Sequence, residues 1–145
     1  MATTNSPRWA ILQAIISALQ ADPALAGITI IRNPRHASSL AKGERVIVVK
    51  RQPGSLIEKP GQQEKRRFAI LTGAISRKVD ADQDADALAL AVGNCLRKAL
   101  GLLIKQNKVL NLSESIDESE VEGLDIDGAI ELSTWEIQYI QSRPL

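Results

Sequence analysis

An α/β fold of the α+β kind is what this 145-residue sequence predicts, with a mainly antiparallel sheet, a long-tipped β-hairpin and two packed helices. Three observations carry it. Two stretches repeat their apolar residues at helical spacing, one near the N-terminus and one in the centre. Four others are rich in β-branched apolar residues and are bounded by Gly, Pro or Asn. With 44% hydrophobic residues over 145 positions, there is material for one core and too little chain for two. Residues 1–145 are therefore read as a single domain.

The first helix starts at Ser6, an N-cap, followed by Pro7 in the first turn; Trp9, Leu12, Ile16 and Leu19 then share a face over residues 7–21. Asp22 and Pro23 stop it. After Gly27, residues 28–31 form a short strand that ends at Asn33 and Pro34, and residues 34–43 are a polar loop carrying His36. Residues 44–51 hold Val46, Ile47, Val48 and Val49 in succession, the signature of a strand covered on both faces. Residues 52–64, with Pro53, Gly54, Pro60 and Gly61, read as a long exposed loop. Strand character resumes over residues 65–79, with Gly73 as a bulge.

Residues 80–101 form the clearest helix, because Leu88, Val92, Cys95, Leu96, Ala99 and Leu100 share one face. Asp80, Asp82, Asp84 and Asp86 suit its positive N-terminal end, Arg97 and Lys98 its negative end, and Gly101 its close. Residues 102–112 fit either state. Residues 116–126 are acidic and contain a short strand, and after Asp127-Gly128 a final strand runs over residues 129–141. The apolar phase of that strand slips between Leu132 and Trp135, which requires a bulge or cover on both faces.

Charge is split along the chain. Residues 1–78 carry thirteen Lys or Arg against four Asp or Glu, and residues 79–145 five against thirteen, so a chain of net charge +1 is +9 in front and −8 behind. A near-neutral total argues against a dedicated nucleic-acid binder, whereas two opposed surfaces suit head-to-tail contact between copies. Aromatic residues are only 3% of the chain, which leaves few stacking platforms for bases. The single cysteine, Cys95, excludes an internal disulfide and fits a reducing compartment. No signal core stands near the N-terminus, and no run approaches the roughly 18–20 apolar residues that cross a bilayer, so the expectation is a protein neither secreted nor membrane-spanning.

Catalytic and metal chemistry find little support. Asp80, Asp82 and Asp84 match the first ligands of a calcium loop, but Ala85 stands where glycine is required and Ala91 where the closing glutamate is required. A frame through Asp125, Asp127 and Gly128 ends on Thr134 and fails likewise. Helix-dipole stabilisation explains the aspartates without a metal. His36 is the only histidine, so multi-histidine zinc sites are ruled out, and Ser38 and Ser39 beside it do not make a catalytic pair. Cys95 falls on an apolar helix face and reads as core. No glycine-rich phosphate loop occurs, and the carboxylates of residues 114–127 read as a solvated face. No enzymatic activity and no cofactor are expected.

The local feature with a functional argument is the hairpin tip. Lys50, Arg51, Lys59, Lys65, Arg66 and Arg67 stand there against Glu58 and Glu64. A flexible solubilising loop accounts for this charge, and so does a contact that orders on an acidic neighbour. Nucleic acid is a third reading, weakened by the lack of aromatics in the tip. The contact residues expected are Arg51, Lys59, Lys65, Arg66 and Arg67 on one side and Glu118, Glu120 and Glu122 on the other.

The order of elements, from an amphipathic helix and short strand through the hairpin and central helix to an acidic connection and a last strand ending Trp135-Glu136-Ile137-Gln138-Tyr139, resembles the tail-terminator proteins of long-tailed bacteriophages. The likeness covers nearly the whole chain in size and element order, without a short invariant motif. It implies a virion protein, assembled in the bacterial cytoplasm, that forms a homo-oligomeric ring, six-fold in that family, on the end of the tail tube. Such a ring stops tube growth and helps join tail to head. The implied partners are copies of itself, the tail tube protein and a head-tail connector protein, with no membrane and no specific nucleic acid. A head-to-tail connector or neck protein shares much of this texture and is the alternative.

Overall fold

The computed structural model describes residues 6–32, 40–52, 55–58, 63–106, 108–117 and 128–142. Among them, a mixed sheet lies against two helices. In chain order come α1 (Pro7–Ala21), a 3-10 turn (Pro23–Leu25), β1 (Thr29–Ile31), β2 (Arg45–Arg51), β3 (Ser55–Glu58), β4 (Gln63–Ser76), α2 (Ala81–Lys105), β5 (Asn111–Asp117) and β6 (Ala129–Ser142). Across the sheet the order is β1-β2-β4-β6-β5, and β3 pairs with β4. Only the β1 and β2 pair is parallel; the remaining pairs are antiparallel.

The centre of the sheet is the ladder between β4 and β6, which runs from Gln63 opposite Ser142 to Ser76 opposite Ala129 without a slip. Its regular alternation assigns every side chain to a face. Towards the helices go Phe68, Ile70 and Ala74 of β4, Trp135, Ile137 and Tyr139 of β6, and Ile47 and Val49 of β2, in one cluster with Leu12, Ile15, Leu19, Leu88, Leu96 and Leu100. Phe68 and Tyr139 meet edge to face, with ring centroids 5.6 Å apart. The indole N–H of Trp135 donates to Thr72 Oγ1 at 3.0 Å, which satisfies two buried polar groups at once. On the other face, Val46, Val48 and Ile75 pack with Leu40, Ile31 and Ile130. The apolar run of β2 is thus covered on both sides, as its composition predicts.

The first helix begins as its sequence requires: the Ser6 hydroxyl accepts the Trp9 N–H at 3.1 Å and Pro7 fills the first turn. Asp22 ends it and caps the turn that follows, accepting the Ala24 N–H at 2.9 Å. Gly27 and Gly43, at φ of 78° and 82°, supply the left-handed bends that lead into β1 and β2.

Several expectations are corrected. Residues 52–64 are not one long loop: β3 and the start of β4 occupy part of that stretch, with β6 extending β4 on one side and β3 pairing with it on the other. Gly73 forms no bulge, since the registers of β2 and β6 on β4 pass through it unbroken. A Cβ there would stand 3.0 Å from Leu132 Cδ2, so glycine makes room for that side chain. The phase change in β6 is cover on both faces, with Leu132 on the far face and Trp135 on the helix face. A strand at residues 111–117 starts ahead of the expected 116–126 and overlaps it at Ile116 and Asp117, and the rest of that range lies outside the described residues. The central helix passes Gly101 and ends at Lys105, held by Leu103, which is buried and whose carbonyl accepts the Lys108 N–H at 2.9 Å. The added Leu102, Leu103 and Ile104 make this helix long and apolar enough, at a mean hydropathy of 1.6, to cross a bilayer by length and composition. Its apolar face is instead the one packed on the sheet.

Burying Leu88, Leu96 and Leu100 contributes about 1.5–3 kcal/mol each. Leu96→Ala should therefore cost about 2–5 kcal/mol in urea unfolding. Leu102→Ala, on the exposed side of the same helix, should cost less than about 1 kcal/mol.

Candidate interaction surfaces at the two ends of the sheet

The first and last residues of β4 lie at opposite ends of the molecule, and charge sorts between them. At one end are the start of β4, the end of β6 and the C-terminal half of α2. There Arg66 is on the helix face of β4 and pairs with Glu64, its Nε donating to Glu64 Oε2 at 2.6 Å. Glu64 is only 6% exposed, so this expected loop residue is in fact a buried anchor. Arg67 points to the other face, where its Nη1 lies 3.7 Å from Glu136 of β6. Lys65 stands opposite Ile140 in the ladder. Arg51 is exposed at the end of β2, opposite Ile70. Lys59, Glu118, Glu120 and Glu122 lie outside the described residues, as does His36.

Two of the expected contact residues, Arg66 and Arg67, therefore already have acidic partners in their own chain. A third such pair lies within the second half of the sequence: Arg97 of α2 reaches Glu114 of β5 at 3.2 Å while its guanidinium covers the Trp135 ring at 5.8 Å. Of the three, only Arg67 with Glu136 crosses between the halves of the sequence, while Arg97 with Glu114 holds the helix layer to the sheet.

The cations that sequence reasoning undervalued are on α2 and just beyond it. Lys98, Lys105 and Lys108 form no ion pair among the described residues. They rim a groove of about 910 Å³ between the last half of α1, the turn at Pro23 and the last half of α2. Its floor is built of small or apolar side chains, including Ala14, Ala18, Ala99 and Leu102, and Asp22 is its one acidic residue. That carboxylate is already engaged, capping the Pro23 turn and bonding to the Cys95 thiol. Burial first, and then Asp22, push the Cys95 thiol up from 9.0 to about 11, so it is a poor nucleophile at neutral pH. The signal for the groove was available in part: Lys98 and Lys105 are seven residues apart, two turns along one helical face.

At the opposite end, Asp82 and Asp84 occupy the first turn of α2. Asp84 has a more specific task than dipole stabilisation. It accepts a hydrogen bond from the Ser76 hydroxyl and lies 2.9 Å from Arg45 Nε, tying the helix start to β4 and β2. Burial, followed by the nearby Asp86, raises the Glu131 carboxyl above its usual range. Lys42, Arg77 and Lys78 lie at this end too, so the described residues there are mixed in charge. The strongly acidic stretch is residues 117–127, with six carboxylates and no base. It is tethered at this end on both sides, through Asp117 opposite Leu132 and through Gly128 ahead of β6.

Among the described residues no group of three or more His, Cys, Asp or Glu side chains could hold a metal ion. The groove offers positive charge and apolar contact, with no activated nucleophile or acid-base pair in its wall. Its chemistry is that of binding a negatively charged, partly apolar partner. No family model matches the chain, and no curated protein matches it.

Two measurements check these environments. At pH 8 iodoacetamide should alkylate Cys95 in the folded chain at about one-hundredth of the rate in urea, the ratio set by thiolate abundance alone. For Glu131, a raised folded-state pKa means the native state holds a proton that the unfolded chain releases. Stability from this group therefore falls as pH rises through that pKa. Glu131→Gln should raise Tm at pH 7, with the gain vanishing near pH 4.

Proposed function

We propose that this chain is a structural protein of a tailed phage or prophage, acting as a tail terminator. Copies join head to tail into a ring that caps the tail tube, ends its elongation and helps attach the head. One observation carries the self-assembly part of this reading: the sheet separates a basic end, with its lysine-rimmed groove, from the end where an acidic eleven-residue stretch is tethered. Opposed ends on one subunit make a heterologous contact, and such contacts close into rings when the rotation between copies permits. Complementary charge also orients the approach of one copy to the next. The terminator role itself rests on the resemblance in element order, size and texture, with the tail tube and a head-tail connector as further partners and the virion tail as the location.

Size-exclusion chromatography with light scattering, followed by electron microscopy, tests the proposal. The expected result at low salt is an oligomer that images as a closed ring and loses mass as salt screens the opposed ends. A strict monomer at high concentration, both alone and with tail tubes added, would refute it. A salt-sensitive shift of DNA in a gel without any oligomer would favour a nucleic-acid-binding role instead.

A further inference from the structure

We infer that the groove between α1 and α2 is the docking site for the acidic stretch at residues 117–127 of a second copy of this chain. The inference rests on the proposed head-to-tail assembly and names the surfaces that meet. Charge is the first argument. Lys98, Lys105 and Lys108 stand around the groove without ion-pair partners among the described residues, and its one acid, Asp22, is bonded inward. Asp117, Glu118, Glu120, Glu122, Asp125 and Asp127 supply six carboxylates within eleven residues. Apolar residues are the second. Val121, Leu124 and Ile126 are interspersed among those acids, and the groove floor of alanines and Leu102 leaves space for such side chains.

Reach decides that the partner is another copy. The two tethers of the stretch sit towards the start of β6: Asp117 pairs with Leu132, and Gly128, just ahead of Ala129, lies four residues further back. The lysine end of the groove lies at the level of Gln138, whose carbonyl accepts the Leu110 N–H just after Lys108. Six residues of strand, roughly 20 Å, separate that level from Asp117, and ten residues, roughly 33 Å, separate it from Gly128. The path must also climb from the sheet over the helix layer, about 10 Å more. Eleven peptide links span about 40 Å at full stretch, less than the roughly 53 Å of the two legs along the sheet, with no length left to lie along the groove. The stretch cannot occupy its own groove, whereas a neighbour placed head to tail delivers it there directly.

Charge-swapped chains test this. One variant reverses the groove (Lys98→Glu, Lys105→Glu, Lys108→Glu), and the other reverses the stretch (Glu118→Lys, Glu120→Lys, Glu122→Lys, Asp125→Lys, Asp127→Lys). Circular dichroism confirms that both fold, and light scattering at low salt reads their mass. Each variant alone should associate roughly tenfold or more weakly than the unaltered chain. Mixing the two should restore assembly, because each groove then meets a stretch of opposite sign on the other chain. If the unaltered chain forms rings and neither reversal changes its mass, the inference is wrong and the proposed function stands. If both reversals weaken assembly and the mixture stays dissociated, the pairing of groove with stretch between copies is likewise refuted. An unaltered chain that never assembles removes both.

Discussion

The unbroken ladder between β4 and β6 is the constraint on which the rest of this structure depends. Fourteen residues of each strand pair from Gln63 and Ser142 to Ser76 and Ala129, and a slip of one would turn every side chain to the wrong face. The register puts Phe68, Ile70, Trp135, Ile137 and Tyr139 under the helices, and it pairs the Trp135 indole with Thr72. It also carries β4 out to Gln63, where β3 pairs with it. The length of β4 is what separates the lysine and arginine end from the tethers of the acidic stretch.

Electrostatics in this molecule act at two ranges. Close pairs such as Arg45 with Asp84 and Arg97 with Glu114 fasten α2 to the sheet, and partial burial makes the first of them less sensitive to salt. The exposed lysines at the end of α2 form no ion pair among the described residues. Such charges are worth little to stability and are available for recognition. The raised carboxyl of Glu131 is the reverse case, a group whose position against the sheet opposes its charge.

The sequence was legible wherever structure is decided locally. The Ser6 cap, Pro7, the Asp22-Pro23 stop and the apolar face around Leu88 and Leu96 all signal through near neighbours, and both helix starts follow. Elements decided by distant partners were not legible. Asn111–Asp117 is a serine-rich edge strand with little β signal of its own, and it forms because β6 offers a free edge. Pro53, Gly54, Pro60 and Gly61 read as one loop because the support for β3 comes from β4 and β6 behind it. The end of α2 depends on Leu103 being buried, which no local cap announces. The groove was invisible for the same reason, since it needs Asp22 beside Cys95, 73 positions further along the chain. Net charge by halves pointed to opposed surfaces but could not show that Arg66, Arg67 and Arg97 are matched internally.

The position of β6 within the sheet has a consequence for how the chain is made. This last strand lies between β4 and β5, so both neighbours were synthesised before it and neither can find its partner until residues 129–142 have left the ribosome. Their pairings with residues 63–76 and 111–117 are non-local, and such contacts are slow to form. Until then α2 has no complete sheet to cover, and its apolar face is a liability in a crowded cell. A chain cut short before β6 lacks the strand that joins β4 to β5.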